Sequence, residues 1–220
     1  MKPYILLDQP QRHGRFLRRL NRFAVEIELD EGAVAAHLPN SGRMNELLVA
    51  GHPVVLAERH GIARKTAFDM QLVQYGSRWV SVDSRIPNAL AAEAIRRREV
   101  TWGDSRFDLE LREGNRRCLV ETKSVNLVEN GRALFPDAPT TRGARHVRTL
   151  IEAVRSGLEA GVLFVIQRDD ARVLSPFDAA DPEFGRALRE AAAAGVVIEA
   201  YRCRVTPDRM TLDERVPVEL

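Results

Sequence analysis

The chain has 220 residues, 45% of them hydrophobic and 29% charged, and its formal net charge is only +2. This composition is typical of a globular protein with one domain or two small ones, and it argues against long disordered segments. No apolar run approaches the roughly 20 residues of a membrane span, and MKPYILLDQPQ reaches proline and charge too early for a signal peptide. We therefore expect a cytoplasmic protein without membrane contact. Its two cysteines, Cys118 and Cys203, lack CxxC spacing and indicate neither a disulfide framework nor a zinc cluster.

The first 83 residues are expected to consist mainly of strands. FAVEIEL alternates apolar and acidic side chains, which is the period of a half-buried strand. VAAHLPNSG runs into a turn marked by Pro39, Asn40 and Gly42, and HPVVLAER, TAFDMQLVQYG and RWVSVDS are further short apolar runs. About five strands in some eighty residues predict a small antiparallel barrel.

The hydrophobic period changes after residue 83. IPNALAAEAIRRRE is rich in strong helix formers, and Pro87 lies near its start, where the missing amide of a proline is tolerated. This segment predicts a linker helix near residues 84–98. We therefore divide the chain into a barrel domain, 1–83, and a second domain, 84–220.

Strands and a first helix follow in the second domain. SRFDLEL and RCLVETKSV predict two strands in a hairpin. One helix face is predicted by apolar residues at helical spacing, with Gly161 as the expected end of the helix. These apolar residues are Val147, Leu150, Ile151, Val154 and Leu158.

The rest of the chain alternates strand and helix. VLFVIQR is a near-continuous apolar strand of the kind that is buried on both faces of a sheet. A second helix is predicted with Asp181 as N-cap, Pro182 at its first position and Gly195 as its end. VVIEAYRCRV predicts the last strong strand. The pattern indicates an α/β domain, in an α+β protein overall, whose helices cover a mixed sheet.

Three polar residues of the hairpin are the main candidates for chemistry. If EGNR, residues 113–116, forms a four-residue loop, counting outward along both strands places Asp108 opposite Glu121. Lys123 shares the face of Glu121 because side chains alternate along a strand. All three groups are then expected to converge on one patch.

Two opposed acids repel each other unless a cation lies between them or one is protonated. Mg²⁺ or Mn²⁺ held by these carboxylates would resolve the conflict and leave positions open for water and phosphate. A nearby lysine would stabilise the charge that develops at phosphorus, which is the logic of a D…ExK nuclease site. From the pattern alone, a solvated, salt-bridged strand face is the more frequent outcome.

Longer motifs point to a family. HLPNSGRM, WVSVDSRIPNAL, VETKSVNL and LFPDAPTTRGARHVRTL, in this order, closely resemble the sugar fermentation stimulation protein A family of bacteria and archaea. The resemblance runs from about Gly14 to the terminal VPVEL. It implies an N-terminal OB-like β-barrel, then a domain resembling the PD-(D/E)xK nucleases, and DNA binding.

The resemblance also assigns residues. Asp108, Glu121 and Lys123 occupy the nuclease-like positions, and Glu99 matches an upstream acid of the family, which makes it a candidate for a further metal ligand. Two features depart from the family. The segment before Glu99 is shorter than usual, and Thr141 stands where relatives often carry an acid.

Basic side chains are candidates for contacts with nucleic acid. Those of the barrel would form a groove beside Phe23, and those near LFPDAPTTRGARHVRTL would lie on the first turns of a helix, where a solvated face is the alternative. They are Arg18, Arg22, Arg43 and Lys65 in the barrel and Arg142, Arg145, His146 and Arg148 in the helix. Asp137, between two prolines, either reaches the metal patch or accepts backbone hydrogen bonds in its turn.

Three functions remain open. The first, which we favour, is a sequence-independent DNA-binding protein on a nuclease-like fold with a divalent-metal site, regulating sugar (maltose) metabolism as the family name implies. The second is an active Mg²⁺- or Mn²⁺-dependent nuclease that acts on DNA or RNA. The third is a non-enzymatic metabolite-sensing or protein-interaction module. The sequence leaves the oligomeric state open.

Overall fold

The computed structural model describes residues 2–61, 64–94, 100–102, 105–114 and 116–220. Glu99, a candidate metal ligand, and the expected end of the linker helix lie outside these ranges. Within them, the chain forms a barrel and a mixed sheet with helices packed against it. The fold is therefore of the α+β class that the sequence predicts.

Strands β2 to β6 form a closed barrel, which β7 extends. A short strand, β1 (Tyr4–Leu6), precedes them. The barrel strands are β2 (Gln11–Asn21), β3 (Ala24–Leu29), β4 (Gly32–His37), β5 (Pro53–Glu58), β6 (Phe68–Tyr75) and β7 (Arg78–Ser81). Their order is β4, β3, β2, β5, β6, β7, and a parallel bridge between His37 and Asp69 joins β4 to β6. The expected OB-like barrel is confirmed.

Strand β2 is long enough to pair with two neighbours. Its first half pairs with β5 and its second half with β3. At Gly14, which pairs with Val54, an added Cβ would lie only 2.5 Å from the carbonyl oxygen of Glu28, so a larger residue would clash there. The sequence analysis identified this segment only as a basic cluster, because Phe16 is its one buried side chain and apolar alternation is missing.

The second part of the chain alternates strands with helices. Its elements are α1 (Ile86–Ala94), β8 (Val100–Trp102), β9 (Ser105–Phe107), β10 (Leu109–Glu113), β11 (Arg116–Val125), β12 (Val128–Glu129), β13 (Arg132–Phe135), α2 (Thr141–Arg155), β14 (Glu159–Ile166), β15 (Val173–Pro176), α3 (Pro182–Ala193), β16 (Val197–Val205) and β17 (Arg209–Val216). The main sheet has the order β1, β17, β16, β14, β11, β10. Strands β11, β14 and β16 are parallel, while β10, β17 and β1 run antiparallel to their neighbours, so the sheet is mixed.

The register of the β10–β11 hairpin is the expected one. Arg112 pairs with Arg117, and pairing continues to Glu113 and Arg116, so the loop is two residues long rather than four. Removing one residue from each side of the loop adds one pair and leaves every other pair unchanged. Counting outward therefore still brings Asp108, just before β10, towards Glu121.

Two layers cover the main sheet. Helices α2 and α3 pack on one face, where Val147, Phe164 and Phe184 are fully buried in a shared core. Helix α1 packs on the opposite face, with Leu90 among the buried residues. Val55 of the barrel joins that second core, so the barrel lies on the same face as α1. The barrel therefore lies beside the C-terminal end of strand β11.

Helix α2 ends earlier than expected. It starts at Thr141 and ends at Arg155, and Gly157, at φ +89°, supplies the left-handed residue that terminates it. The expected terminator, Gly161, instead lies in β14, where an added Cβ would lie 3.3 Å from the carbonyl oxygen of Val197. The predicted N-cap of the second helix is confirmed, because the Asp181 carboxylate accepts a hydrogen bond from Phe184 N at 3.0 Å. None of the described helices is long and apolar enough to cross a bilayer.

Buried amides and backbone groups join the barrel to the second domain. Asn40 Nδ2 donates to Val82 O at 3.1 Å and to Asn126 Oδ1 at 3.2 Å. Asn126 in turn donates to Ser81 O, and Ser81 N donates to Gln167 O at 3.1 Å. Since these groups are buried, separating the domains would leave several of them unpaired. The barrel loop after Leu38 is thereby fixed against the second domain.

Strand β1 belongs to the second sheet, although it lies within the first 83 residues, which the sequence analysis assigned to the barrel domain. It pairs antiparallel with β17, Tyr4 opposite Thr211 and Leu6 opposite Arg209. A three-residue strand carries no readable period, and its partner lies some two hundred residues away in the sequence. Local pattern therefore gives no indication of this pairing.

Candidate functional site

A cleft of about 420 Å³ lies between the barrel loop at 40–42, strand β11 and the start of α2. Seven of the residues singled out in the sequence line it: Asp108, Glu121, Lys123, Asp137, Arg22, Arg142 and His146. They come from both domains and from five separate segments of the chain. The folded chain therefore brings the predicted acids, the lysine and two of the arginines to one place.

Strand β11 carries two of these groups into the cleft. It is flanked by β10 and β14, so its backbone is held on both sides. The side chains of Leu119, Glu121 and Lys123 lie on the same face of the strand, because successive side chains alternate between its two faces. Leu119 is fully buried in the core beneath α2, the Glu121 side chain is 6% exposed and that of Lys123 12%. This face therefore leads from the apolar core to the floor of the cleft.

Asp108 reaches the same floor from the chain just before β10. Its Oδ2 accepts a hydrogen bond from the backbone N of Thr122 at 2.8 Å, and its Oδ1 accepts one from Asn88 Nδ2 of α1 at 2.7 Å. Burial, and next the charge of Glu121, raise the pKa of the Asp108 carboxyl above its ordinary value. The two acids therefore interact electrostatically, as the sequence analysis expected.

The two oxygens of Glu121 differ. Oε1 lies 2.7 Å from Lys123 Nζ and 2.7 Å from His146 Nδ1. Oε2 is buried and has no hydrogen-bond partner in the described part of the chain. Burial alone would raise the pKa of Glu121, but the hydrogen bond from His146 and the charge of Lys123 outweigh it and lower the pKa. Glu121 is thus a buried, ionised carboxylate with one unused oxygen.

His146 is buried, with only 4% of its surface exposed. Arg142 Nε donates to His146 Nε2 at 3.3 Å, so the ring proton lies on Nδ1 and points to Glu121. The ring also packs edge-on against Phe107, with centroids 6.0 Å apart. The sequence left a phosphate contact or a solvated helix face open for His146, but the side chain is buried: it lies one turn before the fully buried Leu150 and faces inward.

Asp137 contacts the barrel instead of closing its own turn. Its Oδ2 accepts a hydrogen bond from the backbone N of Met44 at 3.2 Å, across the domain boundary. Gly42 is packed so closely against this carboxylate that an added Cβ would lie 2.6 Å from Oδ2. Asp137 therefore lines the cleft, and the backbone hydrogen bond that it accepts comes from the barrel and not from its own turn.

The basic residues predicted for nucleic-acid contacts are divided in position. Arg22 and Arg142 line the cleft, and Arg43 lines an adjoining cavity together with Asp137. Arg22 also lies over the exposed ring of Phe23, 5.4 Å from its centroid. These residues form the part of the basic set that borders the cleft.

The other members of the set lie apart from the cleft lining. Arg18 Nε is 2.7 Å from Glu26, and Arg148 NH1 is 3.0 Å from Glu183, so both already have acidic partners. Lys65 and Arg145 are exposed and do not line the cleft.

The donor set fits a hard divalent cation with an incomplete protein shell. Among the described residues, no group of three His, Cys, Asp or Glu side chains forms a ligand cluster. Asp108 and Glu121 supply carboxylate oxygens, and the unpartnered Oε2 of Glu121 is a buried acceptor without a donor. Mg²⁺ typically takes one or two carboxylates and keeps several waters. The residues present therefore suit such an ion.

Sequence reasoning missed two contacts that shape the site. Asn88, at the third position of α1, holds Asp108, and His146 holds Glu121 from 25 positions further along the chain. The IPNAL motif carried Asn88 within a family resemblance but gave no role for it. No local period reports a side-chain hydrogen bond between a strand and a distant helix.

Comparison with known proteins bears on the whole chain. Residues 17–82 match the family described as SfsA N-terminal OB domain, and residues 76–209 match Sugar fermentation stimulation protein RE domain. A sugar fermentation stimulation protein homolog of Natranaerobius thermophilus is 44% identical over 93% of this chain and 92% of its own. A homolog of Citrifermentans bemidjiense is also 44% identical, over 97% of this chain and 99% of its own.

A solved structure agrees with these matches. The structure of Pyrococcus furiosus SfsA in complex with Ca²⁺ covers 100% of both chains, with a TM-score of 0.91 and 27% identity. Both domains of the chain are thus matched in sequence, and the fold is matched over its full length. The chain belongs to the sugar fermentation stimulation protein family.

Proposed function

We propose that this protein binds DNA across the cleft and hydrolyses phosphodiester bonds with a divalent cation, Mg²⁺ or Mn²⁺, held by Asp108 and Glu121. The observation that carries the proposal is the buried, unpartnered Oε2 of Glu121, beside a second carboxylate and a lysine in one cleft. A buried acceptor without a donor is destabilising unless a ligand uses it. A cation would use it.

The cation site is supported by the chemistry of the donors and by a relative. Carboxylate oxygens are preferred ligands of both Ca²⁺ and Mg²⁺. The Pyrococcus furiosus protein of the same family was solved in complex with Ca²⁺. When bound, such an ion lowers the pKa of a coordinated water and neutralises charge at phosphorus. Glu121, whose pKa is lowered, is ionised at neutral pH and ready to bind it.

Lys123 would act on the phosphate. Its Nζ lies 2.7 Å from Glu121 Oε1, and only 12% of its side chain is exposed. From this position the ammonium can reach a phosphate oxygen above the carboxylates and stabilise negative charge there. The expected role of Lys123 is therefore stabilisation of the transition state and not metal binding.

The entrance to the cleft suits a phosphodiester backbone. Arg22 and Arg142 line it, and the N-terminus of α2 opens into it with no acidic residue in its first turn. A helix N-terminus carries partial positive charge that attracts phosphate. Such contacts read the backbone and not the bases, so we expect binding that is independent of sequence and weakened by salt.

Binding without turnover is the second candidate. It is favoured by the small ligand set, since the described residues present no three-residue cluster of His, Cys, Asp or Glu. In that case the nuclease-like domain would serve as a DNA-binding platform, consistent with a regulatory role in sugar metabolism. The metabolite-sensing alternative predicts neither DNA binding nor cleavage.

Cleavage and binding measured in parallel separate these functions. Wild type, Glu121→Gln and Lys123→Ala are incubated with Mg²⁺ or Mn²⁺ and single-stranded, duplex or branched DNA, or RNA. Cleavage that both substitutions abolish while binding persists is the expected result. Binding without wild-type cleavage under every condition would leave the platform function, and loss of both would exclude nucleic acid as the ligand.

Glu110 supplies a matched control. It is a buried acid of strand β10, two residues from Asp108, and its carboxylate takes hydrogen bonds from Arg112 Nε at 2.8 Å and Arg117 Nε at 2.6 Å. Both of its oxygens are therefore occupied within the fold. Glu110→Gln should leave cleavage by the folded protein intact, so that loss in Glu121→Gln can be attributed to the cleft.

A further inference from the structure

We infer that His146, itself fixed by Arg142, is a positioning residue that holds the Glu121 carboxylate in the orientation a divalent cation requires. The inference rests on the cation site proposed above and deepens it. His146 would not contact the cation. It would act through Glu121, by keeping Oε1 occupied and Oε2 directed to the cleft.

The two oxygens of Glu121 are used unequally. His146 Nδ1 and Lys123 Nζ both lie 2.7 Å from Oε1, while Oε2 has no donor within the described structure. A free carboxylate would gain by rotating so that each oxygen accepts one donor. The observed geometry keeps two donors on one oxygen, and this leaves the other available for a ligand.

The ring of His146 is held in one orientation. Its Nε2 accepts a hydrogen bond from Arg142 Nε at 3.3 Å, and its ring packs edge-on against Phe107. Arg142 and His146 are four residues apart on α2, a spacing at which helical side chains meet. Because Nε2 is an acceptor, the single ring proton lies on Nδ1, where Glu121 Oε1 receives it. Tautomer and ring orientation are both fixed.

Lys123 and His146, the two donors to Glu121, have different roles. Lys123 carries its charge on a flexible four-carbon stem, so it can leave Oε1 for an incoming phosphate. His146 is 4% exposed and is held by Arg142 and Phe107, so it stays on Oε1 when Lys123 moves away. When Lys123 turns to substrate, His146 is the donor that still orients Glu121. Partners that orient metal ligands in this way typically contribute about 10–100-fold to affinity or activity.

The test measures Mn²⁺ binding to the full chain by isothermal titration calorimetry, with cleavage kinetics beside it. His146→Ala should weaken Mn²⁺ binding about 10–100-fold, in the range for residues that orient metal ligands. His146→Asn should restore most of the affinity, because its amide nitrogen lies near the position of Nδ1. Val147→Ala, a fully buried neighbour in the core of α2, should lower the melting temperature but leave the Mn²⁺ affinity unchanged.

Each outcome bears on the inference. Equal Mn²⁺ affinity in wild type and His146→Ala would overturn it while leaving the proposed hydrolysis intact. Weakened binding in His146→Ala, in a protein that never cleaves nucleic acid, would support it and remove the proposed hydrolysis. A wild-type chain that binds no Mn²⁺ would overturn both.

A second pair of variants covers the case in which His146→Ala does not fold. His146→Asn and His146→Gln have the same amide, but glutamine carries it one carbon further, away from the position of Nδ1. We expect tighter Mn²⁺ binding by the asparagine variant. Equal affinities in this pair would contradict a role that depends on a donor at that position.

Discussion

Two buried carboxylates, Asp69 in the barrel and Glu121 in the cleft, are held in opposite ways. The Asp69 side chain is 1% exposed and has two donors on each oxygen. His37 Nδ1, at 3.2 Å, and Arg64 donate to Oδ1. Arg59 Nε and Arg85 NH2, each at 3.0 Å, donate to Oδ2. Glu121, 6% exposed, has both of its donors on Oε1. Burial and pairing are common to both, so neither identifies a functional acid. The two differ in the number of donors they accept, four for Asp69 and two for Glu121 among the described residues.

The consequences of the two arrangements differ. Two donors on each oxygen use the lone pairs of Asp69 and leave none for a ligand, whereas Asp108, with one donor on each oxygen, still has lone pairs to offer. A carboxylate with an empty oxygen is less favourable for the fold and available for a cation. Asp69 is therefore expected to affect stability and Glu121 to affect ligand binding. Four predictions test this division, in order of decreasing expected effect.

Removing the charge of Asp69 should cost the most stability. Asp69→Asn leaves Arg59, Arg64 and Arg85 around a neutral side chain, and breaking a buried ion pair from one side typically costs about 3–5 kcal/mol. Urea denaturation should show this loss in the free energy of unfolding. Cleavage by the fraction that remains folded should match wild type, and a selective loss of cleavage would contradict the division.

Removing the charge of Glu121 should have the reverse effect. Glu121→Gln is expected to reduce cleavage and Mn²⁺ affinity at least about 100-fold, since a direct ligand exceeds the usual effect of an orienting partner. The free energy of unfolding should fall less than in Asp69→Asn, because one ammonium group, that of Lys123, and not three guanidinium groups loses its anionic partner. A large loss of stability with normal cleavage would reverse the assignment.

Acid should weaken the barrel through Asp69. Burial alone would raise the pKa of this carboxyl, but hydrogen bonds from Arg85 and Arg59 outweigh it and lower the pKa to about 2. Because the pKa is lower in the folded than in the unfolded state, the stabilisation is complete above about pH 4 and is lost as pH falls towards 2. It amounts to about 2 kcal/mol.

The measurement compares wild type with Asp69→Asn by urea denaturation from pH 5 down to pH 2.5. The difference between their free energies of unfolding should shrink as pH falls. A constant difference across this range would mean that Asp69 does not titrate as described.

Arginines of the cleft should matter more for DNA than paired arginines outside it. Arg22→Ala is expected to weaken binding several-fold for every sequence and to reduce the slope of log affinity against log salt by about 1. Arg18→Ala should have a smaller effect, because Arg18 is already paired with Glu26. Fluorescence anisotropy at several salt concentrations tests both, and equal slopes in the two variants would place the DNA elsewhere.

The sequence was sufficient wherever structure depends on local period. The barrel strands, the hairpin register that carries Glu121 and the N-cap of α3 all follow from alternation, counting and capping within a few residues. The members of the site could be named because they lie on such elements. Strand β2 was missed because its exposed arginines hide the alternation.

What the sequence could not give depends on side chains meeting across long separations. The hydrogen bonds of His146 to Glu121 and of Asn88 to Asp108 join different elements, and no local pattern reports them. The same holds for His37 and Arg85, two donors to Asp69 that lie 32 and 16 residues from it. Which oxygen of an acid is left without a donor is visible only when these partners are in place.

The pairing of β1 with β17 makes the barrel an insertion between the first and the last strand of the second sheet. During synthesis β1 emerges about two hundred residues before its partner, so it stays unpaired while the barrel folds. Cutting the chain at the domain boundary would remove β1 and leave the edge of β17 open to other chains. The two ends of the chain are therefore joined through one sheet, and the second domain is complete only when both have been made.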